Sequence, residues 1–186
     1  MPYFLTKDEL TRILQEALKA DPLHHLLFLV SYRHGLRVSE VAKLTAFNIV
    51  FGDMVKVQRL KHSKLTTQTL VEKSDVLWDE KSALLARAQE VPLGFPFFPS
   101  PSDCSVCISR FQVRRLVQRY GRRAGIHPTK LRGLHVMKHT CGSHIIPAGI
   151  HITMEHLGHK DIKSTQVYLH VDPVTRQREV ERAMGV

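Results

Sequence analysis

The sequence predicts a mainly α-helical domain with a small antiparallel β-sheet, an α+β class, and three observations carry that expectation. Segments with apolar residues at helical spacing, several opened by capping residues, occupy most of the 186 residues. Only two runs, Met54 to Leu60 and Thr66 to Val71, have the β-rich character of a hairpin. No internal repeat, heptad pattern or low-complexity stretch points to another architecture.

The elements follow in chain order. Thr6 and Glu9 in "LTKDEL" form a capping box for a first helix whose Leu10, Ile13, Leu14, Ala17 and Leu18 face inward. Asp21 and Pro22 open a second helix that runs to His34. In "HGLRVSEVAKLT" a short helix begins after Arg37, with Val38, Val41 and Leu44 on one face and Glu40 a turn on from Arg37. The hairpin in "VKVQRLKHSKLTTQTLV" carries Lys61 near its tip, beside His62, Ser63 and Lys64. A helix is expected around Asp79 to Gln89, then the Pro-rich stretch Glu90 to Asp103, with a third short strand at Phe97 and Phe98. From Arg110 to Ala124 the spacing predicts a helix capped by Ser109 and Gln112, with Val113, Leu116, Val117 and Tyr120 on its apolar stripe. "LHVMKHTCGSH" is helical and sets His135 and Lys138 at i and i+3, hence on one face. Pro147 ends it. "LGHKDIKSTQVYLHV" is a short polar helical run that places Tyr168 nine residues after His159. Asp172 and Pro173 begin a tail helix, 172–186, with a modest apolar side.

Charge narrows the choice of partner. Twenty-seven Lys and Arg against 17 Asp and Glu give a formal net charge of +10, a field that attracts polyanions. The 110–124 helix concentrates that charge in Arg114, Arg115, Arg119, Arg122 and Arg123, with no acidic residue among them. Without a counter-anion they repel one another, so contact with DNA phosphates is the expectation. No signal peptide or membrane span is visible, since "LLFLV" is too short to cross a bilayer, and a cytoplasmic protein is expected. Three cysteines fit a reducing compartment. Cys104 and Cys107 form a single C-x-x-C with no second ligand pair, in what reads as a connecting loop, so no metal site is expected.

The ordered set Arg37, Lys61, His135, His159 and Tyr168 closely resembles the catalytic domain of the tyrosine recombinase, or phage integrase, family. That family has an Arg in a G-L-R-x-S-E context, a Lys on a β-hairpin, an H-x-x-R pair, a second His in L-G-H and a Tyr nine residues on. The resemblance runs from about Thr6 to about Val171, and "RLKHSKLTTQTL" looks most like the small fimbrial-type invertases. Lys138 departs from the pattern, for it stands where the family has its second arginine and lacks the planar fork that grips two phosphate oxygens.

The resemblance implies the catalytic-domain fold over residues 1–171 and metal-free, cofactor-free strand cleavage and rejoining through a 3′-phosphotyrosyl link. It gives Tyr168 the role of nucleophile, and Arg37 and Lys138 that of holding the non-bridging oxygens. Lys61 becomes the general acid, with Lys64 its rival and a DNA contact. His135 would take or orient the Tyr168 proton, His159 would donate to the scissile phosphate, and Glu40 would support Arg37 or His135. Implied partners are double-stranded DNA, a homo-tetramer on paired sites and an accessory DNA-bending protein. The tail would dock on a neighbouring protomer or fold back on its own domain. The chain starts close to its first motif, so no separate N-terminal DNA-clamping (core-binding) domain is expected in it. A type IB topoisomerase and a DNA-binding regulator with a decayed site remain as alternative readings.

Overall fold

The computed structural model describes residues 4–60, 64–169, 181 and 184. Lys61 and nearly all of the 172–186 tail lie outside the described residues.

Helix α1 (Lys7–Ala20) forms as its pattern requires. Glu9 N–H donates to Thr6 Oγ1 at 3.2 Å and Thr6 N–H to Glu9 Oε2 at 2.8 Å, closing the capping box, while Leu10, Ile13, Leu14 and Ala17 are buried. Helix α2 (Pro22–Arg33), capped by Asp21, is buried continuously from His25 to Ser31 and packs against α1, α4 (Glu80–Glu90) and α6 (His135–Ile145). It is the central helix of the core. Gly35 ends it at φ +56°, where a Cβ would overlap the Leu157 side chain, so both backbone and space call for glycine. Chain reversal there leads into α3 (Val38–Val41).

The sheet is three-stranded and antiparallel in the order β1 (Ile49–Val50), β2 (Met54–Val57), β3 (Thr66–Thr69), with Val55 opposite Gln68 and Val57 opposite Thr66. Val55 and Val57 face the core and Lys56 faces out. The strands are shorter than the sequence suggests. Leu60 N–H donates to Glu40 Oε1 at 3.0 Å instead of across the hairpin, which draws the chain off the ladder towards α3.

Phe97 and Phe98 are buried, but the pairing beside them is made by β4 (Pro99–Ser100) with β5 (Asp103–Cys107) as a separate two-stranded sheet. The C-x-x-C segment is therefore strand, not loop. Helix α5 (Arg110–Arg123) has the expected Ser109 and Gln112 box and buries Val113, Leu116, Val117 and Tyr120. After α6 a 3-10 turn at Ile146–Ala148 contains Pro147, and α7 (Ile150–His156) and the four-residue α8 (Lys163–Gln166) follow. Most buried apolar residues form one cluster; Cys141, Leu157 and Tyr168 form a second, smaller one. Among the described residues no helix is long and apolar enough to cross a membrane.

Candidate active site

Glu40 is the hub of the site. Its carboxylate, fully buried, accepts from Arg37 N at 2.8 Å, Arg37 Nη1 at 2.8 Å, Leu60 N at 3.0 Å and Arg59 Nη1 at 3.4 Å. Burial alone would push its pKa up, but these donors outweigh burial and hold it below the usual carboxylate range. The carboxylate thus fixes Arg37, whose side chain keeps 19% of its surface exposed.

Arg59 reaches the same carboxylate from β2's end and is itself buried. Nε donates to Thr66 Oγ1 at 2.8 Å, Nη1 to Gly35 O at 3.1 Å, and Nη2 to His34 O at 2.7 Å and His156 O at 3.1 Å. One guanidinium therefore ties together the ends of α2 and α7, the hairpin and α3. Gly158, at φ +68°, leaves room for it, because a Cβ there would come within 2.8 Å of Arg59 Cγ.

Lys138 enters from α6. It is buried, and Nζ donates to Gly35 O at 2.9 Å and Leu157 O at 3.3 Å. Burial, then the neighbouring charges of Arg59 and Arg37, pull its pKa down to about 7. Two of its three ammonium protons go to backbone carbonyls, so at most one is left for a phosphate oxygen. An arginine would bring a second.

His159 is buried with Nδ1 2.9 Å from Thr165 Oγ1. Burial and the cations Lys138, Arg37 and Arg59 lower its pKa to about 4, so the imidazole is neutral at pH 7. In the tautomer that accepts from the Thr165 hydroxyl at Nδ1, the ring proton sits on Nε2, the nitrogen that would donate to a phosphate oxygen.

Tyr168 lies over α6. A Cβ at Gly142 would meet its Cζ at 2.6 Å, so the ring sits flush against the helix backbone, beside Cys141 and Leu157. Burial raises the phenol to about 12, and Arg37 acts in the opposite direction. The hydroxyl is 3.4 Å from Nδ1 of His139, one helical turn beyond the exposed His135. The histidine at the Tyr168 hydroxyl is thus His139, one that the motif does not name.

Arg37, Glu40, Lys138, His159 and Tyr168 are brought together around Gly35 and Leu157. Lys64 is exposed, and its N–H donates to Gly158 O at 3.2 Å, which anchors the hairpin's return arm beside His159. Arg114, Arg115, Arg119, Arg122 and Arg123 are all exposed on α5. No group of three or more His, Cys, Asp or Glu side chains that could hold a metal occurs among the described residues. Sequence reasoning missed Arg59 and His139. Arg59 had a signal, since it continues the inward positions Val55 and Val57 as a charge where an apolar residue is expected.

The model of the phage integrase family matches residues 3–174. The chain belongs to the phage integrase family. The tyrosine recombinase XerA of Pyrococcus furiosus is 30% identical over 186 residues, covering 98% of this chain and 62% of that protein. A tyrosine recombinase of Pseudothermotoga lettingae is 27% identical over 92% of this chain and 57% of its own. This phage integrase chain therefore spans about three-fifths of the length of such relatives. Among solved structures, that of XerA recombinase superposes with a TM-score of 0.73 at 22% identity, covering 99% of this chain and 64% of the other. The Tn1549 transposon integrase in complex with circular intermediate DNA gives 0.74 at 18% identity, with coverage of 98% and 68%. The fold is thus the phage integrase catalytic-domain fold, mainly helical with small antiparallel sheets.

Proposed function

We propose that this chain is the catalytic part of a site-specific DNA recombinase that cuts and rejoins strands through a covalent bond to Tyr168. The observation that carries the reading is the convergence of a phenol, two cations and a neutral imidazole on one buried cluster organised by Glu40. The phenolic oxygen attacks phosphorus, the P–O5′ bond breaks, and a 3′-phosphotyrosine conserves the bond energy for resealing by another 5′-hydroxyl. Arg37, Lys138 and His159 meet the charge that peaks on the non-bridging oxygens. His135, exposed at the first residue of α6, completes the set. Lys61 protonates the leaving oxygen, with Lys64 as its alternate. The α5 arginines hold duplex phosphates. Paired sites, a homo-tetramer joined by the tail, an accessory DNA-bending protein and a cytoplasmic setting belong to the same proposal.

Covalent trapping on a pool of nicked duplexes tests it, comparing wild type with Tyr168→Phe once both are seen to bind. The expected result is a wild-type adduct on the Tyr168 peptide, absent from the variant. If wild type binds but forms no adduct, and Lys138→Arg forms none either, the protein is a DNA-binding regulator. That second reading is favoured by one observation, the tethering of Lys138 to two carbonyls.

A further inference from the structure

The Tyr168 hydroxyl has a neighbour that the family motif does not name. Tyr168 presents its hydroxyl to His139 Nδ1 at 3.4 Å, with ring centroids 5.9 Å apart and planes inclined at 56°. The arrangement is constrained from both sides. The tyrosine ring is seated on Gly142, one turn along the same helix, where a single added carbon would displace it. His139 is half-buried on α6, next to Lys138 and one turn after His135.

We infer that His139, rather than His135, takes the phenolic proton of Tyr168 as the oxygen attacks the scissile phosphorus. The inference rests on the strand-cleavage reading above. The Tyr168 O–H bond breaks, its proton passes to the Nδ1 lone pair, the O–P bond forms and the P–O5′ bond opens. The departing oxygen takes a proton from the hairpin lysine. His139 thereby becomes an imidazolium, and resealing reverses the path by returning the proton to the tyrosine oxygen.

The surroundings favour a His139 that has a lone pair to offer. Among the described residues, the groups acting on it are the Lys138 ammonium, the His135 imidazole and the Tyr168 phenol, none of them a carboxylate. Burial first, then His135 and Lys138, lower its pKa, so the neutral ring prevails at pH 7. Burial holds the phenol at about 12, far above its partner, which ties proton transfer to O–P bond formation instead of letting it precede attack. A contact of 3.4 Å is long for a hydrogen bond, and contacts of this kind commonly tighten once substrate is bound.

The test is His139→Asn in the full chain, whose amide can hydrogen-bond the phenol but cannot accept a proton. Single-turnover adduct formation on a saturating nicked duplex should fall by about 10²-fold or more at pH 7. The deficit relative to wild type should shrink about tenfold per pH unit as hydroxide replaces the missing base. A merely structural role gives a deficit that does not vary with pH. A duplex with a 5′-bridging sulfur at the scissile phosphate, whose leaving group needs no proton, should not restore the variant. An unchanged rate, a pH-independent deficit or rescue by sulfur would each overturn the inference. Nitrogen-15 spectra read the contact without cleavage, expecting an Nε2–H tautomer whose Nδ1 resonance moves in Tyr168→Phe; a protonated Nδ1 at pH 7.5 contradicts it. A wild type that binds duplex yet forms no adduct removes the strand-cleavage reading as well, whereas a cleaving wild type indifferent to His139 removes this inference alone.

Discussion

Lys138 shows how one side chain links pH to chemistry at this site. Its ammonium is buried between the carbonyls of Gly35 and Leu157 and faces two guanidinium groups, which brings its pKa down to about 7 from 10.5. Below about pH 7 it is protonated in both folded and unfolded chains. Between about 7 and 10.5 only the unfolded chain keeps the proton, so this group's contribution to stability rises with pH across that window and is lost as pH falls through about 7. In the proposed reaction the charged form is the one that meets a phosphate oxygen. Second-order adduct formation at subsaturating DNA should therefore decline above about pH 7, and Lys138→Arg should remove the decline, because a guanidinium stays protonated there. A pH profile of both proteins checks this; parallel alkaline limbs would show that another group titrates. Arg37, Glu40, His159 and Tyr168 were legible in the sequence because each falls within a motif of fixed spacing. Arg59 falls in no motif, because four of its five partners among the described residues are backbone carbonyls or a hydroxyl, and only its inward place after Val55 and Val57 marks it. His139 escaped because its partner lies 29 residues away, a distance closed only by the packing of the Tyr168 ring against Gly142 of α6.

Helix α6 and the segment that carries Tyr168 form one functional element. Gly142 lies inside α6, where glycine costs about 1 kcal/mol relative to alanine, yet it is the residue on which the tyrosine ring rests. Two requirements are opposed there, helix stability and room for the Tyr168 ring. Gly142→Ala should leave thermal stability near wild type, since the helix gains part of that 1 kcal/mol while the small Tyr168 cluster loses packing. Adduct formation should fall by about 10²-fold or more, because a displacement of about 1 Å at a reacting atom has that effect. Melting curves and the trapping assay read the two separately; an alanine variant that cleaves normally would mean that Tyr168 acts from another position. The helices were legible where capping residues and an apolar stripe coincide, as in α1 and α5, whose boxes at Thr6/Glu9 and Ser109/Gln112 form as written. The strands were harder. β1 has two residues, and β5 is exposed at Asp103, Cys104, Ser105 and Val106, so neither has the alternation that betrays a half-buried strand.

At the scale of the molecule, the net charge of +10 acts through where it is placed. Helix α5 turns its apolar stripe into the core and leaves Arg114, Arg115, Arg119, Arg122 and Arg123 outside, with no acidic residue in the helix to neutralise them. Charges on α1 are arranged otherwise. Arg12 pairs with Asp8 at 3.1 Å and Lys19 with Glu16 at 2.8 Å, so that helix carries little unbalanced charge. If α5 lies against a duplex, each arginine on a phosphate releases a condensed counterion and adds about 0.9 to the steepness of log K against log salt. Arg115 and Arg122 are seven residues apart, two turns along one face, and their replacement by glutamine should flatten the slope by close to 2 while weakening all duplex sequences alike. Removing the same two charges from α1, by Arg12→Gln with Lys19→Gln, should leave the slope nearly unchanged. Binding of a fixed duplex at several salt concentrations distinguishes placement from bulk charge. Equal flattening by the two pairs would mean that the field of the whole molecule, and not the α5 face, draws the DNA in.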